Sequence, residues 1–171
     1  MGILVDGVWQ EDNLIKNKED GKFIRPDSAF RDWITTDGSP GPEGQKASPA
    51  EKGRYHLYVS LACPWAHRTL IARVLKGLED MISVSVVHWH MGAQSWNFED
   101  APGVVADPVM NAQFLHQIYT LAKPDMSGKV TVPVLFDKKE RTIINNESSE
   151  IIRIFNEAFD DLGALPGHYY P

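Results

Sequence analysis

The chain has 171 residues, 43% of them apolar, a formal net charge of −6 and a single cysteine. That length buries a core as one domain, or one domain with an arm, and the scattered Lys and Arg exclude a nucleic-acid-binding face. One cysteine rules out an internal disulfide framework and suits a reducing, cytoplasmic setting; no apolar run approaches a membrane span, and the first residues lack a signal peptide's charged start and apolar middle.

Residues 1–53 read as an irregular arm. Gly38-Ser39-Pro40-Gly41-Pro42-Glu43-Gly44 supports neither a helix nor an interior strand. Trp9, Phe23, Phe30 and Trp33 are nevertheless too apolar for a free tail, and they are expected to pin the arm against a domain.

Tyr55-His56-Leu57-Tyr58-Val59 is strand-like and leads into Ser60-Leu61-Ala62-Cys63-Pro64-Trp65-Ala66-His67-Arg68. Beyond it, Ala66, Leu70, Ile71, Val74, Leu75 and Leu78 recur at helical spacing. Pro64 suits the first helical position, where its missing N–H would have no partner anyway. Cys63 is therefore expected where a strand ends and a helix begins, its sulfur near unpaired N–H groups that favour thiolate over thiol. A lone cysteine is more often apolar filler, but such a junction has little packing reason to carry sulfur at its tip. Ala66 stands where a dithiol oxidoreductase has its second cysteine, so an external thiol must resolve any covalent intermediate. His67 either assists the thiolate electrostatically or packs as a structural histidine.

Ile82 to Val87 predicts a second strand, rich in β-branched residues. In His88-Trp89-His90 the two imidazoles share a face, but no Cys, Asp or Glu lies nearby in sequence to complete a tetrahedral set, and no metal is expected. The loop from Met91 to Ala106 is long for a connection inside a compact domain, which marks it as functional or mobile. Asp107-Pro108 reads as a helix start, with Met110, Phe114, Leu115, Ile118 and Leu121 as its stripe and Lys123-Pro124 as its stop. Val130 to Phe136 and Arg141 to Ile144, joined by Asp137-Lys138-Lys139-Glu140, predict a hairpin. Pro133 inside the first of these runs means either an edge strand or a strand beginning behind a cis Val132-Pro133 bond. The cis form would turn the Val132 backbone toward an extended peptide ligand. A last helix opens at Asn146-Glu147-Ser148-Ser149, carries Ile151, Ile152, Phe155, Ala158, Phe159 and Leu162 inward, and stops at Gly163. The order β-α-β-α-β-β-α, with a right-handed crossover between the first two strands, predicts an α/β, thioredoxin-like fold for residues 54–163.

A groove for glutathione, an extended peptide thiol, needs a sulfur-facing pocket, backbone that pairs with the cysteinyl peptide, and donors for the γ-glutamyl carboxylate. Cys63 offers the first and Val132 the second. Ser148 offers an N–H and a hydroxyl, and Glu147 a partner for the free amine; helix capping is the alternative role for both. Trp96 and Lys129 either border this groove or lie on the surface.

On these residues the sequence resembles the glutathionyl-hydroquinone reductases, or Xi-class glutathione transferases, along its whole length. The resemblance is carried by Ser28-Ala29-Phe30-Arg31, by Arg54 through Arg68, by Leu75-Lys76-Gly77-Leu78-Glu79, by Val130-Thr131-Val132-Pro133-Val134-Leu135 and by Asn146 through Ile152. It implies Cys63 as catalytic nucleophile, and Trp96, Lys129, Val130, Thr131, Val132, Pro133, Glu147 and Ser148 as the residues that hold glutathione. Lys129 stands where the family usually has Arg, which loses the planar fork for a carboxylate. The implied reaction removes glutathione from glutathionyl-hydroquinones through a Cys63–glutathione mixed disulfide that a second glutathione resolves. The resemblance also implies that the family's second, all-helical domain, whose tyrosines line the aromatic-substrate pocket, is absent, with residues 164–171 as the start of the inter-domain linker. Impaired activity and an uncovered apolar face that self-associates, as in a homodimer, are expected. Three alternatives stay open: a glutaredoxin-like or omega-type thiol transferase, a dehydroascorbate reductase, and a non-catalytic glutathione-binding module.

Overall fold

The computed structural model describes residues 2–11, 18–19, 22–23 and 28–170, the two short pairs by backbone alone. The first 53 residues carry more strand than their composition suggests. Strands β1 (Ile3–Val5) and β2 (Val8–Gln10) form an antiparallel hairpin, as do β3 (Lys18–Glu19) and β4 (Lys22–Phe23), and β5 (Trp33–Thr35) pairs in parallel with β6 (Ala47–Pro49). The Gly/Pro run at 38–44 connects β5 to β6 instead of precluding both. Gly7, at φ 76°, turns the first hairpin against the chain before residue 128, where a Cβ would meet the Pro124 carbonyl oxygen at 1.9 Å. Leu4 exchanges both backbone hydrogen bonds with Gly128, at 3.0 and 2.9 Å. Trp33 enters the core, and Trp9 and Phe30 pack against it; the side chain of Phe23 lies outside the described residues.

The remaining elements are β7 (Tyr55–Val59), α1 (Pro64–Leu75), β8 (Ile82–Val86), α2 (Leu115–Ala122), β9 (Val134–Asp137), β10 (Thr142–Asn145) and α3 (Ser148–Glu157). Their four strands form one sheet in the order β10-β9-β7-β8. β7 runs parallel to β8, from Tyr55 opposite Ile82 to Val59 opposite Val86, and antiparallel to β9, which pairs antiparallel with β10. This is the thioredoxin-like layout. Every residue of β7 is buried, as a central strand covered on both faces should be. No helix among the described residues is long and apolar enough to cross a membrane.

Four boundaries or faces differ from the sequence reading. Asp107 caps a separate turn: its carboxylate accepts the N–H groups of Val109, Met110 and Ala112 at 2.9, 3.2 and 3.1 Å, and the Tyr58 hydroxyl at 2.9 Å. Helix α2 starts only at Leu115, where the Gln117 side chain takes the N–H groups of Gln113 and Phe114. β9 begins at Val134 and not at Val130, behind a cis Val132-Pro133 bond, the second of the two alternatives open for Pro133, and it lies between β10 and β7, so it is not an edge strand. α3 ends at Glu157 and buries Ile154 more deeply than Ile152, after which a 3₁₀ turn, Asp160–Leu162, runs to Gly163 at φ 92°. On α1, Ala66 and Thr69 are buried, whereas Ile71, Val74 and Leu75 face outward beside the exposed Leu61 and Trp65. The apolar stripe of this helix is wider than the face it packs.

Candidate active site

The site begins where β7 ends. Ser60 is buried; its hydroxyl accepts the Ala62 N–H and its carbonyl accepts the Cys63 N–H at 3.1 Å. These bonds turn the chain so that Cys63, extended at φ −106° and ψ 113°, becomes the N-cap of α1 with Pro64 at the first helical position. The thiol is half-buried, and its Sγ lies 3.8 Å from the carbonyl oxygen of Val132. The sulfur thus sits at a helix N-terminus and faces the backbone just before a cis proline. His67 is exposed and donates its N–H to the Cys63 carbonyl as the first full helical turn closes.

Among the described residues the Val130-to-Pro133 stretch has no strand partner of its own, and the Tyr119 phenol holds it. The Tyr119 hydroxyl donates to the Thr131 carbonyl at 2.9 Å and accepts the Thr131 N–H at 3.2 Å and the Asn146 side-chain N–H at 3.1 Å. Burial pushes the Tyr119 phenol up, so it remains a neutral donor. Both backbone groups of Thr131 are thereby turned inward, while the Val132 carbonyl faces Cys63.

Across the groove, Glu147 caps α3 and Ser148 is its first residue. Glu147 accepts the N–H and hydroxyl of Ser149 at 3.3 and 3.1 Å, and the hydroxyl of Ser28 in the arm at 2.9 Å. The Ser148 hydroxyl, almost wholly buried, accepts two bonds from Arg68, from Nε at 3.1 Å and Nη2 at 2.6 Å. Arg68 also lies 3.8 Å from a Glu147 carboxylate oxygen and stacks over Trp65. It thus ties the helix that carries Cys63 to the start of α3.

The family model for the glutathione S-transferase N-terminal domain matches residues 62–158. The chain belongs to that family. Along its whole length it is 59% identical to glutathionyl-hydroquinone reductase YqjG of Escherichia coli (strain K12), of which it covers 52%. It is 51% identical, again over the whole chain, to glutathionyl-hydroquinone reductase PcpF of Sphingobium chlorophenolicum, covering 51% of that protein. Among solved structures, the glutathione-bound YqjG from Escherichia coli K-12 superposes with a TM-score of 0.86 at 56% identity, over 99% of this chain and 50% of that one. A Xi-class transferase from Natrialba magadii gives 0.83 at 44% identity, over 100% and 49%. The chain therefore spans about half the length of the curated relatives it matches.

On this transferase domain, Trp96 and Lys129 are half-buried. Trp96 packs against the core, and its carbonyl accepts the Leu115 N–H at 2.9 Å. The loop around it is held by the first hairpin: Trp9 donates to the Ala93 carbonyl and stacks on His116, while Gln94 bridges His116 and Glu11. A cavity of about 270 Å³ opens here, lined by His88, His90, Gln94, Asn97 and Glu99. The His90 N–H donates to His88 Nδ1 at 2.9 Å, and among the described residues no three His, Cys, Asp or Glu side chains group as a metal site. Sequence reasoning gave no role to Arg68, Tyr119 or Ser28. A tyrosine beside the apolar stripe of α2 was the available signal for Tyr119, because a buried phenol needs a hydrogen-bond partner.

Proposed function

We propose that this chain binds glutathione and supplies the nucleophile of a glutathionyl-hydroquinone reductase, with residues 54–163 as the glutathione-binding domain, residues 1–53 as its arm and residues 164–171 as the start of a linker. The observation that carries the reading is the juxtaposition of Cys63 Sγ and the Val132 carbonyl at 3.8 Å, beside the cis proline. Glutathione lies extended in the groove, its cysteinyl peptide paired with Val132, its γ-glutamyl end at Glu147 and Ser148, and its glycyl end toward Trp96 and Lys129.

The Cys63 thiolate attacks the sulfur of a glutathionyl-hydroquinone. The bond from that sulfur to the aromatic carbon breaks, its electron pair stays with the ring, and the ring carbon takes a proton. Free hydroquinone leaves, and Cys63 is left in a mixed disulfide with glutathione. A second glutathione thiolate attacks the glutathione sulfur, which releases glutathione disulfide and restores the Cys63 thiolate. Ala66 leaves no neighbouring thiol to short-circuit this cycle. The setting is cytoplasmic, where reduced glutathione is available. The exposed Leu61, Trp65, Ile71, Val74 and Leu75 support self-association of the chain as a homodimer, which light scattering reads directly; a monodisperse monomer refutes that part.

The test of the chemistry is intact-mass analysis after exposure to glutathione disulfide, followed by turnover of glutathionyl-menadiol. One glutathione should add to the chain and none to Cys63→Ser, and adding glutathione should strip the adduct. Absence of the adduct overturns the reading. Turnover of a peptide–glutathione disulfide in preference to the hydroquinone conjugate replaces it with a glutaredoxin-like one.

A further inference from the structure

We propose that the cavity at Asn97 is a binding site for a neutral aromatic carboxamide, held by Asn97, His88, Phe114 and Glu99; the inference does not rest on the reading of the glutathione groove. None of Cys63, Trp96, Val132 or Ser148 lines this cavity. Asn97 is only 6% exposed, and its Oδ1 accepts the Glu99 N–H at 3.0 Å, which fixes the orientation of the amide. Nothing among the described residues accepts a hydrogen bond from its Nδ2. Yet among those residues no fully enclosed side-chain nitrogen or oxygen lacks a partner. Nδ2 is therefore reached from the cavity that Asn97 lines. A deeply set amide donor without an acceptor is costly, and a ligand oxygen removes that cost.

The rest of the lining decides which oxygen. His88 Nδ1 takes the His90 N–H at 2.9 Å, so the ring hydrogen is on Nε2, a second donor without a partner among the described residues. Two donors suit a carbonyl. No Lys or Arg lines the cavity, whereas the exposed Glu99 does, so a carboxylate would meet a like charge with no fixed cation to offset it. Glu99 is itself an acceptor for an N–H. A primary carboxamide presents both groups: its C=O to Asn97 and His88, its N–H to Glu99. Phe114 supplies the apolar wall. Its ring stacks on His116 at 5.4 Å, and His116 stacks on Trp9 at 4.9 Å, so two further rings back the wall and hold it flat. The volume, about 270 Å³, exceeds the about 150 Å³ that holds benzene and leaves room for one ring with its substituent.

Benzamide titrated into the isotopically labelled chain tests this by NMR. It should shift the Asn97 side-chain amide, the His88 ring and Phe114, a readout on the unsubstituted chain that needs no variant to fold. Benzoate should leave these signals in place, and N,N-dimethylbenzamide, with no N–H for Glu99, should bind several-fold more weakly. Asn97→Asp keeps the acceptor for the Glu99 N–H and loses the donor, so it should weaken benzamide roughly tenfold or more. Glu99→Gln should still take benzamide and should now admit benzoate. If benzamide does not bind, water alone fills the cavity and the proposal falls. It falls equally if the shifts appear at Cys63 and Val132 in place of Asn97, if benzoate binds the unsubstituted chain as tightly as benzamide, or if Asn97→Asp keeps full affinity.

Discussion

His56 should make this fold unusually sensitive to mild acid. The residue is fully buried in β7, its ring between Ser83 Oγ at Nδ1 (2.7 Å) and Ser85 Oγ at Nε2 (2.9 Å). Ser85 spends its own hydrogen on the Ala106 carbonyl, so Nε2 is the donor toward Ser85, and Nδ1 accepts from Ser83. Protonating the ring would make Nδ1 a donor as well, so the Ser83 hydroxyl, whose oxygen already accepts from the Lys138 ammonium at 3.4 Å, would have to redirect its own hydrogen. Burial is the main cause that lowers the His56 pKa from 6.5 to about 4; the Asp107 charge opposes it, and those of Lys138 and Arg73 add to it. The neutral ring is the folded form. Between pH 6.5 and about 4 the unfolded chain therefore takes up a proton that the folded chain refuses, and stability present above 6.5 is lost as the pH falls through that window. At about 1.4 kcal/mol per pH unit the loss comes to about 3 kcal/mol, a large part of a typical domain's margin. Urea unfolding of the chain and of His56→Gln from pH 7 to pH 4 measures it, because carboxylates that titrate in the window are common to both. The unsubstituted chain should fall about 3 kcal/mol further than the variant. Parallel curves refute the reasoning, and so does a His56 ring that titrates near 6.5 by NMR in the folded protein, a readout that does not need the variant to fold.

Asp137→Ala should lower stability by about 3–5 kcal/mol in thermal or urea unfolding, because Arg54, buried and paired to it at 2.6 Å, keeps its charge with Glu51 as its remaining ion-pair partner among the described residues. A loss below about 1 kcal/mol, the value of a surface pair, would mean that water reaches Arg54. Tyr119→Phe removes the hydrogen bonds by which the phenol holds Thr131 and Asn146. It should cost about 1–3 kcal/mol and weaken glutathione binding several-fold while Cys63 still forms its glutathione adduct; unchanged affinity would show that Val132 is oriented without it.

The sequence was most legible where local chemistry and tertiary position agree. Pro64 marks the start of α1, and Tyr55–Val59 is a strand in both readings, so the place of Cys63 at their junction followed from neighbouring residues alone. Legibility failed where a side chain acts at a distance. Asp107-Pro108 carries a sound capping signal, but the carboxylate spends itself on a turn and on Tyr58, 49 positions away, and the helix waits for Gln117 to cap it. The arm's strands are three residues or fewer, too short for an alternating pattern to register. Arg68 stood in plain view beside Cys63, yet its partner is 80 positions on, and only the packing of α1 against α3 brings the two together.

A common construction underlies the candidate site. Each of its three parts is held at least partly from outside the secondary structure that carries it. The Val132 backbone precedes its strand and owes its orientation to a phenol on α2; the Ser148 hydroxyl is oriented by a guanidinium on α1; Glu147 is held by a hydroxyl from the arm. A groove lined with unpaired backbone must be positioned by groups behind it, because the donors and acceptors it offers to a ligand cannot also hold the loop in place. Residues that never touch a ligand, such as Tyr119, should therefore affect binding more than exposed residues at the rim of the same groove.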